Sequence, residues 1–148
     1  MNGEENRRVN LRALAPASYR AMAAFDRSIE LDPKLLELVR IRVSQINGCA
    51  YCIELHTRAA RRAGESERRI YALSVWRESP LFSDRERAVL ELTDAITNVR
   101  DAGVPEDVYR RAAEHLDQVE LANLMLAISA INSWNRIAIS SAMVFTED

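Results

Sequence analysis

Apolar residues recur every three to four positions along most of this chain, the spacing of helices that each bury one face. Tyr19, Met22, Ala23 and Phe25 mark such a face on a helix from Pro16 to about Ile29. A broader face, through Leu35, Leu38, Val39, Ile41, Arg42 and Ile46, predicts a second helix from Pro33 to about Ile46. Asp32 can cap its free N–H groups, and Pro33 tolerates having none. Asn47-Gly48 breaks that helix, because both residues accept unusual backbone angles. The next helix covers about Cys49 to Ala63 and stops at Gly64. Ser66 opens a short one to about Trp76, with Ile70, Leu73 and Trp76 at helical spacing. After a turn at Glu78-Ser79-Pro80, Ser83 and Glu86 have the spacing of a capping box. The helix they start runs to about Arg100, with Val89, Leu90, Leu92 and Ile96 inward. Asp101-Ala102-Gly103 ends it, and Pro105 begins another through His115.

Asp117 then caps a helix from about Gln118 to Ile131 that is apolar nearly all round. Such a helix belongs at the centre of a core or in an oligomer interface. Asn132-Ser133 reads as a break before a last helix to about Val144. No run alternates as a strand does. The fold class is all-α, with residues 1–14 a flexible N-terminal segment and residues 15–148 one domain.

Composition adds limits. A chain of 148 residues with 48% hydrophobic and 28% charged positions suits one globular domain. The net charge of −2 argues against nucleic acid or an anionic membrane as partner. The pairs Arg61-Arg62 and Arg68-Arg69 read as solvated faces or interface ion pairs. The first ten residues hold no apolar stretch of a leader, and no run reaches the ~18 apolar residues of a membrane span. The expected place is the cytoplasm. A Cys-x-x-Cys pair is kept reduced there, which favours redox chemistry or metal binding over a structural bridge.

Both cysteines and one of the two histidines fall within Asn47–His56. Cys49, Cys52 and His56 are spaced three, four and seven apart, so one helix face can carry all three. Glu37, on the preceding helix, is a candidate fourth member. One reading is thiol redox catalysis. The start of a helix offers positive dipole and free N–H groups to a thiolate, His56 can take the proton, and Glu37 can hold or polarise that histidine or relay a proton from Cys49. A second reading surrounds zinc with the same four residues, although all the soft ligands then come from one helix. In a third, the cysteines and His56 are ordinary core residues. Haem attachment is excluded, because Ile53 rather than histidine follows Cys52.

Glu37, eleven intervening residues, then Cys49-x-x-Cys52-x-x-x-His56 resembles the signature of the alkyl hydroperoxidase D-like proteins of the carboxymuconolactone decarboxylase superfamily. The resemblance continues through Leu38–Gly48, Trp76–Phe82, Glu86-Arg87-Ala88 and Ala130–Arg136. It implies a compact multi-helix fold assembled as trimers or hexamers. It implies peroxidase activity on organic hydroperoxides, with electrons from an external dithiol or thioredoxin-like reductant and with neither cofactor nor metal. Cys52 would be the attacking thiol, Cys49 the resolving one, and His56 with Glu37 the proton relay. Tyr51 departs from the best-studied type, which carries a histidine there. The alternatives are a general disulfide oxidoreductase, or a non-enzymatic zinc-binding or scaffold protein of this fold. Trp134 reads as core or interface, Arg136 as an ion-pair partner across subunits, and His115 carries no assigned chemistry.

Overall fold

The computed structural model describes residues 8–145. Its helices in chain order are α1 (Leu11–Leu14), α2 (Pro16–Arg27), α3 (Pro33–Asn47), α4 (Ala50–Arg62), α5 (Glu67–Ala72), α6 (Asp84–Thr97), α7 (Val99–Ala102), α8 (Glu106–His115) and α9 (Gln118–Ser140). A 3-10 turn, Leu73–Val75, extends α5, and no strand occurs among the described residues. The fold is all-α, as the periodicity predicts. Residues 1–7 of the segment read as flexible lie outside the described residues, and the rest of it holds the single turn α1.

The caps form where polar residues precede apolar runs. Asp32 accepts from the Leu35 N–H at 3.0 Å. Ser83 and Glu86 form the reciprocal capping box. Asp117 does the same with Glu120, a partner not identified in the sequence.

The central helix is α3. Its Leu35, Val39 and Val43 pack with Val89 and Leu92 of α6, Val108 and Ala112 of α8, and Leu124, Ile128 and Ile131 of α9. On its other side, Leu38 and Ile41 pack with Ala60, Ile70, Leu73, Trp76, Phe82 and Leu90. Arg42, counted on the apolar face, is satisfied there by a two-pronged pair with Asp94, at 2.7 and 2.9 Å. Arg69 likewise bridges Glu65 and Glu86 within the chain.

Three boundaries differ from the sequence reading. The helix read to Arg100 is interrupted at Asn98, whose side chain caps back onto the Asp94 carbonyl at 3.0 Å. The break expected at Asn132-Ser133 is absent, and α9 runs unbroken for 23 residues. Both side chains bond the carbonyl four residues back, Asn132 to Ile128 at 2.9 Å and Ser133 to Ser129 at 3.1 Å. Their polar atoms are satisfied inside the helix and do not compete with it. The helix then stops at Ser140, short of Val144. Although α9 shares the core with α3, it leaves Val119, Met125 and Leu126 exposed. Trp134 packs edge-on against Tyr19 of α2, with centroids 5.3 Å apart. Arg136 folds back on Asn132 rather than standing free.

One buried polar cluster ties the end of α3 to α9. The Asn47 amide donates to Asn132 Oδ1 at 2.9 Å and to Asn135 Oδ1 at 3.0 Å, and Asn135 donates to Ser44 Oγ at 3.0 Å. Asn135 is fully buried. Asn135→Ala should therefore destabilise the fold by about 1–3 kcal/mol, the cost of leaving buried partners unpaired. Urea unfolding checks this, and an unchanged midpoint would show that the cluster holds nothing.

Candidate active site

Between α3 and α4 stand two residues. Gly48 takes the left-handed conformation, φ 71°, that reverses the chain. Cys49 then serves as the N-cap of α4, where a serine or aspartate is usual. Its sulfur accepts the N–H of Cys52 at 3.3 Å. Cys52 is the third residue of the helix, so both sulfurs sit at its positive end. They are joined as a disulfide with the Cα atoms 5.3 Å apart. The two residues are 1% and 3% exposed.

The same chain reversal lays α4 back along α3 and brings His56 to Glu37. His56 Nδ1 and Glu37 Oε2 are 2.8 Å apart. The other carboxylate oxygen, Oε1, accepts from Arg40 Nη1 at 2.7 Å. Arg40 in turn donates through Nη2 to Asp26 of α2 at 3.0 Å. Burial is the largest influence on Glu37 and opposes its charge. The hydrogen bonds and charges of His56 and Arg40 together outweigh it, and the carboxyl pKa lies below its ordinary value. An ionised carboxylate only accepts hydrogen bonds, so Nδ1 of His56 carries the hydrogen, and in the neutral ring Nε2 is then the nitrogen with the free lone pair.

The disulfide is covered from the far end of α9. Ala138 and Met143 pack on the two cysteines together with Tyr51. Tyr51 also meets Phe145, with centroids 5.8 Å apart, and the Arg58 guanidinium lies 4.6 Å over the Phe145 ring. The chain reaches this position through a Schellman turn. Met143 N–H bonds the Ala138 carbonyl at 3.0 Å, and Ala142 N–H bonds that of Ile139 at 3.2 Å. Ala142 supplies the left-handed residue at φ 55°, a place usually held by glycine.

All four residues singled out in the sequence thus lie on the facing helices α3 and α4 or at their junction, bonded in two pairs: Cys49 with Cys52, Glu37 with His56. Sequence reasoning missed Arg40, whose spacing of three from Glu37 is the signal of a helical ion pair. It also missed the cover from Met143 to Phe145, for which the sequence holds no marker. His115 instead lines a charged surface cleft with Trp76, Arg87, Glu91 and Arg111. Among the described residues no three of histidine, cysteine, aspartate and glutamate converge as a metal site. No helix described is long and apolar enough to cross a membrane.

The lowered pKa of Glu37 fixes a pH dependence. A carboxyl group with a depressed native pKa stabilises the fold fully above its unfolded value, and that stability is lost as pH falls through the native one. The stability of the wild type relative to Glu37→Gln should therefore shrink through the acid window below the ordinary carboxylate value. Urea unfolding across that window checks the sign. A difference that grows toward acid there would contradict an ionised Glu37.

Comparison with known proteins places this geometry. The model of the carboxymuconolactone decarboxylase family matches residues 15–95, the span that holds Asp26, Glu37, Arg40, Cys49, Cys52 and His56. The uncharacterized protein YdfG of Bacillus subtilis is 41% identical over 138 residues, covering 91% of this chain and 94% of the relative. A solved structure from Agrobacterium tumefaciens is of a protein of unknown function, for which a role as the antioxidant defence protein AhpD has been suggested. It superposes with a TM-score of 0.91 at 35% identity, covering 95% of this chain and 99% of the other. An uncharacterized peroxidase-related protein from Silicibacter shares the fold, with a TM-score of 0.77 at 23% identity over 90% of this chain and 74% of the other. The chain belongs to the carboxymuconolactone decarboxylase family, among its alkyl hydroperoxidase D-like members.

Proposed function

We propose that this protein is a thiol-dependent peroxidase that reduces organic hydroperoxides through Cys52 and Cys49. The observation that carries the reading is a dithiol pair at the start of α4, already bridged, one turn before a histidine whose other nitrogen is held by a buried carboxylate. In the reduced protein, Nε2 of His56 takes the proton of the Cys52 thiol, directly or through water. The thiolate attacks the terminal oxygen of the hydroperoxide. The O–O bond breaks, Cys52 becomes a sulfenic acid, and the alkoxide leaves with the proton returned by His56. The Cys49 thiol then displaces water from that sulfenic acid and forms the disulfide. An external dithiol, itself oxidised to a disulfide, restores both thiols.

The helix start and the N–H of Cys52 on the Cys49 sulfur support thiolate chemistry here. The apolar cover of Tyr51, Met143 and Phe145 suits a substrate with an alkyl chain. A reducing cytoplasm suits the recycling step. The exposed Val119, Met125 and Leu126 on α9 suit a homo-oligomer, a trimer or hexamer by family resemblance.

The test is a free-thiol count and intact mass on metal-free, pre-reduced protein, before and after one equivalent of an alkyl hydroperoxide. Two thiols should fall to none, with a loss of about 2 Da for the two hydrogens. Two thiols that survive prolonged exposure would reject the peroxidase and leave disulfide exchange with a protein substrate as the activity. Cys52→Ser should abolish peroxide consumption. Cys49→Ser should react once and stop at a trappable sulfenic acid. The reverse pattern would exchange the roles of the two cysteines.

A further inference from the structure

Arg40 lies outside the signature of glutamate, two cysteines and histidine, yet it is the residue that closes the charge arrangement. Its planar fork spans two helices. Nη1 holds Glu37 Oε1 at 2.7 Å, and Nη2 holds Asp26 Oδ1 at 3.0 Å. The Arg40 and Glu37 side chains are 12% and 11% exposed, so the pair is shielded from solvent screening. Asp26 is anchored on α2, so the guanidinium is fixed at both ends. The two ends of the Glu37 carboxylate are then taken by different partners: Oε1 by Arg40, Oε2 by His56.

Arginine suits this place through its shape as well as its charge. A lysine ammonium is a point charge on a flexible stem and would not hold both carboxylates in one plane. Without the guanidinium, Glu37 would be a buried acid with only a histidine beside it. It could then rotate or accept a proton, and either event releases the tautomer of His56. Two other arginines of α3 and its neighbours are engaged away from Glu37. Arg42 faces Asp94 of α6, and Arg136 of α9 folds onto Asn132.

We propose that Arg40, braced by Asp26, is a positioning residue of this site. It holds the Glu37 carboxylate so that Oε2 accepts from Nδ1–H of His56 and Nε2 stays the basic nitrogen. The depressed pKa of Glu37 agrees with that arrangement, with Arg40 among its causes. In this assignment Glu37 is a fixed acceptor that orients the histidine, and the mobile proton travels between Cys52 and Nε2 only. The inference rests on the redox reading in one respect: Cys52 is the thiol that His56 serves.

The test uses reduced protein and no peroxide. Long-range proton–nitrogen NMR reads the tautomers of the two histidines, and His115→Gln assigns them. His56 should be the Nδ1–H form. In Arg40→Gln that population should fall, and Arg40→Lys, which keeps the charge but loses the fork, should lie between. Alkylation of Cys52 against pH, read in a Cys49→Ser background, should have its acid limb shifted to higher pH in Arg40→Gln. A merely structural role would lower the melting temperature and leave tautomer and pH profile unchanged, and that result overturns the proposal. If Arg40→Gln fails to fold, Asp26→Asn decides: the Nδ1–H population should fall once the brace is gone, and an unchanged tautomer overturns the proposal. Failure of peroxide turnover would reject the peroxidase while leaving these readings intact. An unchanged tautomer beside normal turnover would reject the role of Arg40 alone.

Discussion

The site depends on the turn between α3 and α4. Gly48 takes the left-handed angle that lets α3 and α4 meet across a two-residue connection. The turn is fixed from outside by Asn47, whose amide is held by Asn132 and Asn135 of α9. This single constraint does three things at once. It leaves Cys49 at the cap of α4, it places Cys52 in the first turn beside it, and it folds α4 back so that His56 faces Glu37. A longer linker would carry the same residues and lose the register between them.

Burial of α3 makes the electrostatics of that register matter. Removing a carboxylate from water is unfavourable by several kcal/mol unless its lone pairs are satisfied. Glu37 meets that requirement with the permanently charged Arg40 on one oxygen and His56 on the other. The permanent partner, Arg40, is itself shared with Asp26. Across the helix, the Asp94 carboxylate accepts from Arg42 and from the indole N–H of Trp76 in the same manner. The central helix therefore carries two arginines within an apolar environment, each neutralised by a carboxylate. Only the Glu37 arrangement includes a histidine, and only it lies next to the cysteines' helix.

Much of this was legible in the sequence, and the reason differs by element. Asp32, Ser83 and Asp117 mark helix starts because their side chains have a local use there and little elsewhere. The cysteines and His56 could be placed on one face because spacing along a helix is fixed. The pairing of Glu37 with His56 crosses two helices; the residues offered it as one reading among three, and the family resemblance singled it out. Asn132-Ser133 misled because the same polar side chains that end helices can also bond backward inside one. Arg40 was visible as a neighbour of Glu37, but its link to Asp26 needs α2 in place. The turn at Ala142 had no marker at all, since the left-handed position it fills is signalled by glycine or asparagine.

That last turn bears on how chemistry reaches the pair. Both cysteines are almost wholly out of solvent. Under the proposed reading a peroxide or reductant must displace something, and the surrounding elements differ in how firmly they are held. Moving α3 would disturb residues such as Val39, Ile41 and Val43, which are fully buried. The segment beyond α9 is held by the Met143 packing, the Tyr51–Phe145 contact and the cation over the Phe145 ring, while Val144 between them is 72% exposed. Its turn also carries a non-glycine residue in the left-handed region, unfavourable by about 1–2 kcal/mol. Local opening draws on the least anchored element. The cover of Met143 and Phe145 is therefore the less anchored side of the disulfide, and α3 and α4 the firmer one. The arrangement that orients His56 can stay assembled while the cover yields.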